Sequence, residues 1–422
     1  MPFAKLTQRR ESNVPVIDGI RALAILWVVL FHAWIIQVLD MPTYIMGIFN
    51  YPVLNWVDRG DLGVDLFFVI SGFLIGTIIF KEIRSTGTFI FRQFYFRRYL
   101  RLTPVYIFAI LLNITLTHNL NFGHYWSNIL YVNNYVPGSE MIWTWSLAIE
   151  EQFYLLTPLL LLLFFPLFKN KLHFFGLFTV LALGINAYYV FFKMNLSLPY
   201  NVSFPTEQWF NWFNNYYRVS HLRFVGLLAG VAASYIHVYH EERVRAFFQN
   251  RTSIIKSMYL VTLIGVLFIS FTPLGEWTTA PHSIFYSLPD FAGKIFEVGN
   301  KAFFSYAIAF IILACLYDSG RWIQPVKRFL SLRFFYPIAQ LSYSAYLWHV
   351  MFMFWAFPKL FAMWNGAMSP TALFFLRYAI GVTGTFAFAV VMYYLVEQPF
   401  MRLRNKVSFK KFKYKGFSLG RA

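Results

Sequence analysis

Arg21 and His32 stand eleven residues apart inside the first strongly apolar run of the chain. At ~100° per residue, eleven helical steps end about 20° past three full turns. Both side chains therefore share one stripe, about 16 Å apart along the axis. A guanidinium grips anions such as phosphate, and a neutral imidazole takes a proton near pH 7. In line along one helix, the two suit a site that binds charge at one membrane face and moves a proton near mid-bilayer. Ionisable groups inside an apolar span are costly, so a functional reading is the default. Two bland readings stay open: Arg21 as a cation snorkelling to headgroups, and His32 as a hydrogen-bonded packing residue.

Other polar groups stand out against the apolar background. Trp145, Glu150, Glu151 and Tyr154 fall together near the start of the fourth apolar run. Trp143, Leu147, Glu150 and Tyr154 follow i, i+4, i+7, i+11 spacing, so Glu150 shares a stripe with ring residues and Glu151 points about 100° away. His349 lies about thirteen residues, or about 20 Å, into a later run. Arg97, Arg98 and Arg101 form a guanidinium cluster suited to a polyphosphate, although a bare charge run of this kind more often anchors the inner face. His221 and Arg223 open the sixth run, reading as headgroup contacts as readily as acceptor contacts. Gly226 with Gly230, and Ser71 and Gly72 with Gly76, have the spacing that lets helices pack closely. Glu150 as a helix-end cap and His349 as an interfacial belt residue are the plain alternatives.

The elements that carry these groups are membrane spans. Hydrophobic residues make up 58% of the 422-residue chain and charged residues 13%, against about 45–50% and 25% in soluble domains. Ten runs of near-span length are expected, at 17–39, 62–80, 103–118, 145–168, 172–192, 218–240, 257–276, 302–317, 337–357 and 371–396, the third and eighth being the shortest. The fold class is thus all-α and polytopic. It divides into a cytoplasmic segment 1–16, a membrane domain 17–396 and a basic tail 397–422. With an inside N-terminus, 27 of the 36 Lys and Arg residues fall on the cytoplasmic side and four (Arg59, Lys193, Lys294, Lys359) in the opposite loops. That bias puts both termini in the cytoplasm. The +18 net charge calls for anionic lipid as partner, through the basic stretch 406–415, and no nucleic-acid motif accompanies it. One cysteine, Cys315, excludes an internal disulfide and a thiolate metal cluster. No metal site is expected, and no cleaved leader.

Five segments, read in order, resemble the integral-membrane acyltransferase 3 family, whose members O-acylate bacterial surface glycans and related substrates. They are Asp18-Gly19-Ile20-Arg21 through His32, Phe67 through Ile75, Arg97 through Pro104, Trp145 through Tyr154, and Ser342 through His349. His221 through Phe224 and Glu397 through Phe400 are lesser matches. The resemblance implies a multi-pass protein of the inner membrane that takes an acyl group from cytoplasmic acyl-CoA, typically acetyl-CoA. The acceptor would be a hydroxyl of a glycan or glycolipid on the outer side. It assigns essential roles to Arg21 and His32 and donor binding to Arg97, Arg98 and Arg101. Glu150 would join the catalytic group, with His349, Arg223, Trp145 and Tyr154 on the acceptor side. Ala22 and Val225 depart from residues common in the family, and the short tail leads us to expect no fused hydrolase-like domain.

The residues fit that chemistry. Cytoplasmic arginines would hold the phosphates of coenzyme A while its pantetheine arm spans the ~16 Å to His32. Whether His32 acts as base or becomes acylated is left open by the sequence. A transporter or flippase for a glycolipid or acyl donor, with the intramembrane His, Arg and Glu as a proton relay, is the alternative. It lacks the paired halves many transporters show. A non-catalytic scaffold for envelope assembly is the third reading.

Overall fold

The computed structural model of the chain describes residues 6, 8–9, 13–41, 54–117, 125–194, 207–250, 252–272 and 290–406. Among these residues there is no β-strand. Ten long helices follow in chain order: α1 Pro15–Ile35, α2 Leu62–Thr86, α3 Phe91–Thr117, α4 Trp145–Phe164, α5 Lys171–Tyr188, α6 Val225–Tyr239, α7 Thr252–Phe271, α8 Asp290–Tyr317, α9 Phe335–Trp364 and α10 Pro370–Met392. A helix satisfies its backbone within one segment, which is what a chain in hydrocarbon must do. Eight helical stretches are long and apolar enough to cross a membrane. Of the two long helices outside that set, α6 has 15 residues, about 22 Å, short of a ~30 Å hydrocarbon core. The other, α9, has 30 residues and carries Gln340, Ser342, Ser344 and His349 in its first half. The chain is an all-α polytopic membrane protein.

The two runs expected to be shortest, 103–118 and 302–317, belong to helices of 27 and 28 residues. Charged residues at their N-terminal ends lower the apolarity of α3 and α8 without breaking either helix. The stretch 81–102, expected as a cytoplasmic segment, is mostly helix as well. α2 runs on to Thr86 and ends at Gly87, whose φ of 72° is left-handed and whose N–H bonds Ile83 O at 2.8 Å. Glycine takes that cap without a Cβ penalty. Only residues 87–90 then separate α2 from α3, so Arg98 and Arg101 lie two to three turns inside a helix. The basic stretch 406–415 lies outside the described residues apart from Lys406, as do most of segment 1–16 and the Pro and Gly boundaries at 50–52 and 273–275.

Two glycine stripes form one seam. A Cβ on Gly72 would lie 2.1 Å from Leu227 O, and one on Gly230 would lie 2.2 Å from Val69 O. Gly76 meets Ser234 Oγ in the same way. The small-residue pairs of α2 and α6 thus pack on each other, backbone to backbone, as van der Waals association in lipid favours. α1 is held between α2, α9 and α10. Its inward positions Ile25, Val28, Val29 and Ala33 are almost wholly buried. The helix that carries Arg21 and His32 is therefore at the centre of the bundle.

Candidate active site

A cavity of about 110 Å³ lies where α1, α2, α3, α4 and α9 meet the turn after α10. Arg21 reaches it from α1. Arg98 and Arg101, three residues apart on α3, share a helical face and line the same space. Arg97 points about 100° from Arg98 and is exposed. From α4 come Leu147, Glu150 and Tyr154, the expected stripe, while Glu151 is not in the lining. Tyr154 donates to Glu150 Oε2 at 2.6 Å, and its hydroxyl lies 3.3 Å from Ser71 Oγ. The Arg98 guanidinium sits 5.3 Å over the Tyr154 ring. Among the described residues no ion pair is formed by Arg21, Arg98 or Arg101. Three guanidiniums converge on one space with no carboxylate in ion-pair contact.

With the N-terminus inside, the fourth run begins at the outer face, which would set Glu150 apart from the inner arginines, yet one cavity holds them all. The reason is that α3 starts at Phe91, which carries its arginines into the bundle, while Glu150 sits more than a turn inside α4. Glu397 is a lining residue that sequence reasoning noted only as part of a lesser match. It ends a π-helical turn, Tyr393–Glu397, that follows α10, and it accepts a hydrogen bond of 2.7 Å from Ser344. A lone carboxylate at the end of the last apolar run was the signal available. Single π turns recur at functional sites because they re-aim side chains.

His32 and His349 meet each other. His349 Nε2 lies 3.2 Å from His32 Nδ1, with ring centroids 4.7 Å apart and planes at 77°. His32 Nδ1 is also 2.9 Å from Val28 O, and His349 Nδ1 is 2.7 Å from Tyr346 O. A carbonyl only accepts, so Nδ1 of each ring carries the proton and Nε2 of each neutral ring carries a lone pair. His349 is fully buried, whereas His32 is half-buried. Neither ring is in the cavity lining. Tyr346 links the two places: it lines the cavity, and its ring centroid is 5.5 Å from that of His349.

The four residues expected together on the acceptor side fall in three places. Tyr154 is among the cavity arginines, and His349 is against His32. Arg223 and Trp145 belong to a buried ionic cluster, with the Arg223 guanidinium 5.4 Å over the Trp145 ring. There Arg223 pairs with Asp65 at 3.1 Å, Lys301 pairs with Asp65 at 3.2 Å and with Asp61, and Arg59 pairs with Asp61 at 3.0 Å. Nothing in residue order paired Asp61 and Asp65 with these cations, which lie as much as 240 residues away. Among the described residues no three His, Cys, Asp or Glu side chains gather as metal ligands.

Comparison with known proteins agrees with this architecture. The family model of an acyltransferase domain (acyltransferase 3) matches residues 14–394. The peptidoglycan O-acetyltransferase OatA of Listeria monocytogenes is 24% identical over 98% of this chain and 60% of its own length. The nose resistant to fluoxetine protein 6 of Caenorhabditis elegans is 22% identical over 81% of this chain and 45% of its own. The chain thus spans about half to three fifths of these relatives. No solved structure matches. With α1 to α10 all inside the matched range, the chain belongs to the acyltransferase 3 family.

Proposed function

We propose that this protein is a membrane O-acyltransferase that moves an acyl group, most simply acetyl, from cytoplasmic acyl-CoA to a hydroxyl of a cell-surface glycan or glycolipid. It would do so in the inner membrane with both termini inside. The observation that carries the reading is the trio Arg21, Arg98 and Arg101, which share a cavity with no ion-pair partner among the described residues. Cations left unneutralised in a half-buried space are a place for a polyanion, and coenzyme A is one. The name of the OatA relative favours acetyl as the group and a glycan as the acceptor.

The residues support a direct transfer. The acceptor oxygen attacks the thioester carbonyl carbon and its proton passes to His32 Nε2, the ring nitrogen left free by the Val28 bond. The C–S bond then breaks, and the departing thiolate takes that proton, leaving the ester and free coenzyme A. General-base help of this kind is worth about 10²–10⁴-fold. Glu150 would act through Tyr154, whose ring lies under the Arg98 guanidinium.

The test is transfer of label from radiolabelled acetyl-CoA to glycan in membranes holding the full chain. His32→Ala is expected to lower it by about 10²–10⁴-fold at unchanged protein level. Full transfer by that variant would remove His32 from the chemistry. Movement of an unmodified lipid with no label transferred would mark a flippase instead.

A further inference from the structure

We infer that His349 is a positioning residue that fixes the tautomer of His32 and steadies the charge His32 acquires. The inference rests on the acyl-transfer reading above and assigns His349 a place behind the base rather than on the acceptor.

The argument is one of donors and acceptors. Tyr346 O claims the Nδ1 proton of His349, so its Nε2 presents a lone pair, and that lone pair is aimed at His32 Nδ1 from 3.2 Å. His32 Nδ1 then finds two acceptors, His349 Nε2 and Val28 O. The tautomer with the proton on Nε2 would set lone pair against lone pair on both sides. His32 is thereby held with Nε2 unprotonated, which is the form a base needs. No carboxylate is hydrogen-bonded to either ring among the described residues. The part an acidic side chain plays behind a catalytic histidine would here fall to a second, neutral imidazole.

Charge follows the same line. When His32 takes the acceptor proton, its Nδ1–H becomes a charge-assisted donor to His349 Nε2, and such bonds are roughly twice as strong as neutral ones. The line stops there, because the His349 Nδ1 proton meets a backbone carbonyl. The pair shares a charge and does not conduct a proton onward. Full burial of His349, at 0% exposure, keeps it out of reach of either substrate. The close packing of α9 on α1 sets the distance.

The experiment compares His349→Gln, His349→Asn and His349→Phe with His32→Ala in proteoliposomes, reading kcat and the KM for acetyl-CoA. A glutamine amide oxygen can stand where Nε2 stood, whereas asparagine reaches only to Nδ1 and phenylalanine keeps volume alone. The expected result is a kcat loss on the order of 10²-fold for Asn and Phe, donor KM within about twofold, and at least tenfold recovery in Gln over Asn. Equal activity of Gln, Asn and Phe, or a change in acceptor KM at unchanged kcat, would overturn the inference. If the Phe variant fails to accumulate, the Gln and Asn pair decides at matched yield. His32→Ala separates the two levels. An active His32→Ala sinks the transfer reading itself, while an inactive one beside a fully active His349→Phe sinks only the positioning role.

Discussion

The arginine cavity and the ionic cluster around Asp65 both draw cations into the bundle, and they treat them in opposite ways. In the cluster, Arg59, Arg223 and Lys301 are each matched to Asp61 or Asp65 within ion-pair distance. Arg59 Nη1 also donates to Ile269 O at 3.0 Å and Thr272 O at 2.9 Å. In the cavity, Arg21, Arg98 and Arg101 have no such match among the described residues, and their neighbours Glu150 and Glu397 are bonded to Tyr154 and Ser344. Paired charges fasten helices to each other, whereas unpaired ones, on the proposed function, are left for a ligand. The distinction separates a fastening from a receptor without appeal to position in the chain.

Substitutions in the two regions should therefore fail differently. Asp65→Ala leaves Arg223 and Lys301 short of a buried partner, and the expected loss is about 3–5 kcal/mol of stability. Thermal unfolding in detergent reads it, and an unchanged midpoint would dissolve the contrast from the structural side. Arg98→Ala or Arg101→Ala should weaken donor binding by about 1.5–3 kcal/mol, the worth of a hydrogen bond to a charged group. The unfolding midpoint should hold or rise, because a crowded like charge has gone. Unchanged apparent affinity for acyl-CoA would remove these arginines from a binding role. The smallest effect belongs to the exposed Arg245–Glu241 pair at 2.8 Å, four residues apart on one helix. Arg245→Ala should shift stability by no more than about 0.5 kcal/mol and leave transfer at its wild-type rate. A larger shift there would mean that exposure does not sort these charges.

What the sequence made legible depends on how local the governing interaction is. The Arg21–His32 stripe needs only the helical period, and both residues sit on one helix, α1. The Leu147–Glu150–Tyr154 stripe follows from the same period and lines the cavity. The small-residue spacings in α2 and α6 announced close packing, but nothing in residue order said that Gly72 and Gly230 would meet each other. The arginines of α3 were visible as a cluster, but the helix that carries them was not, because charge lowers hydropathy without ending a helix. Asp65 with Arg223, 158 residues apart, and His32 with His349, 317 apart, are tertiary facts that no window over the chain contains. Glu397 was hidden by its π turn, which shifts a side chain off the 3.6-residue period by which a helical face is read.

The cavity draws its walls from residue 21 to residue 401, so its two ends are made at opposite times during synthesis. α1 emerges first and must wait until α9 sets His349 against His32 and the turn after α10 adds Glu397 to the cavity wall. A chain stopped before that turn holds an incomplete socket, however many helices it has inserted. The cavity is thus completed in a single step near the end of translation.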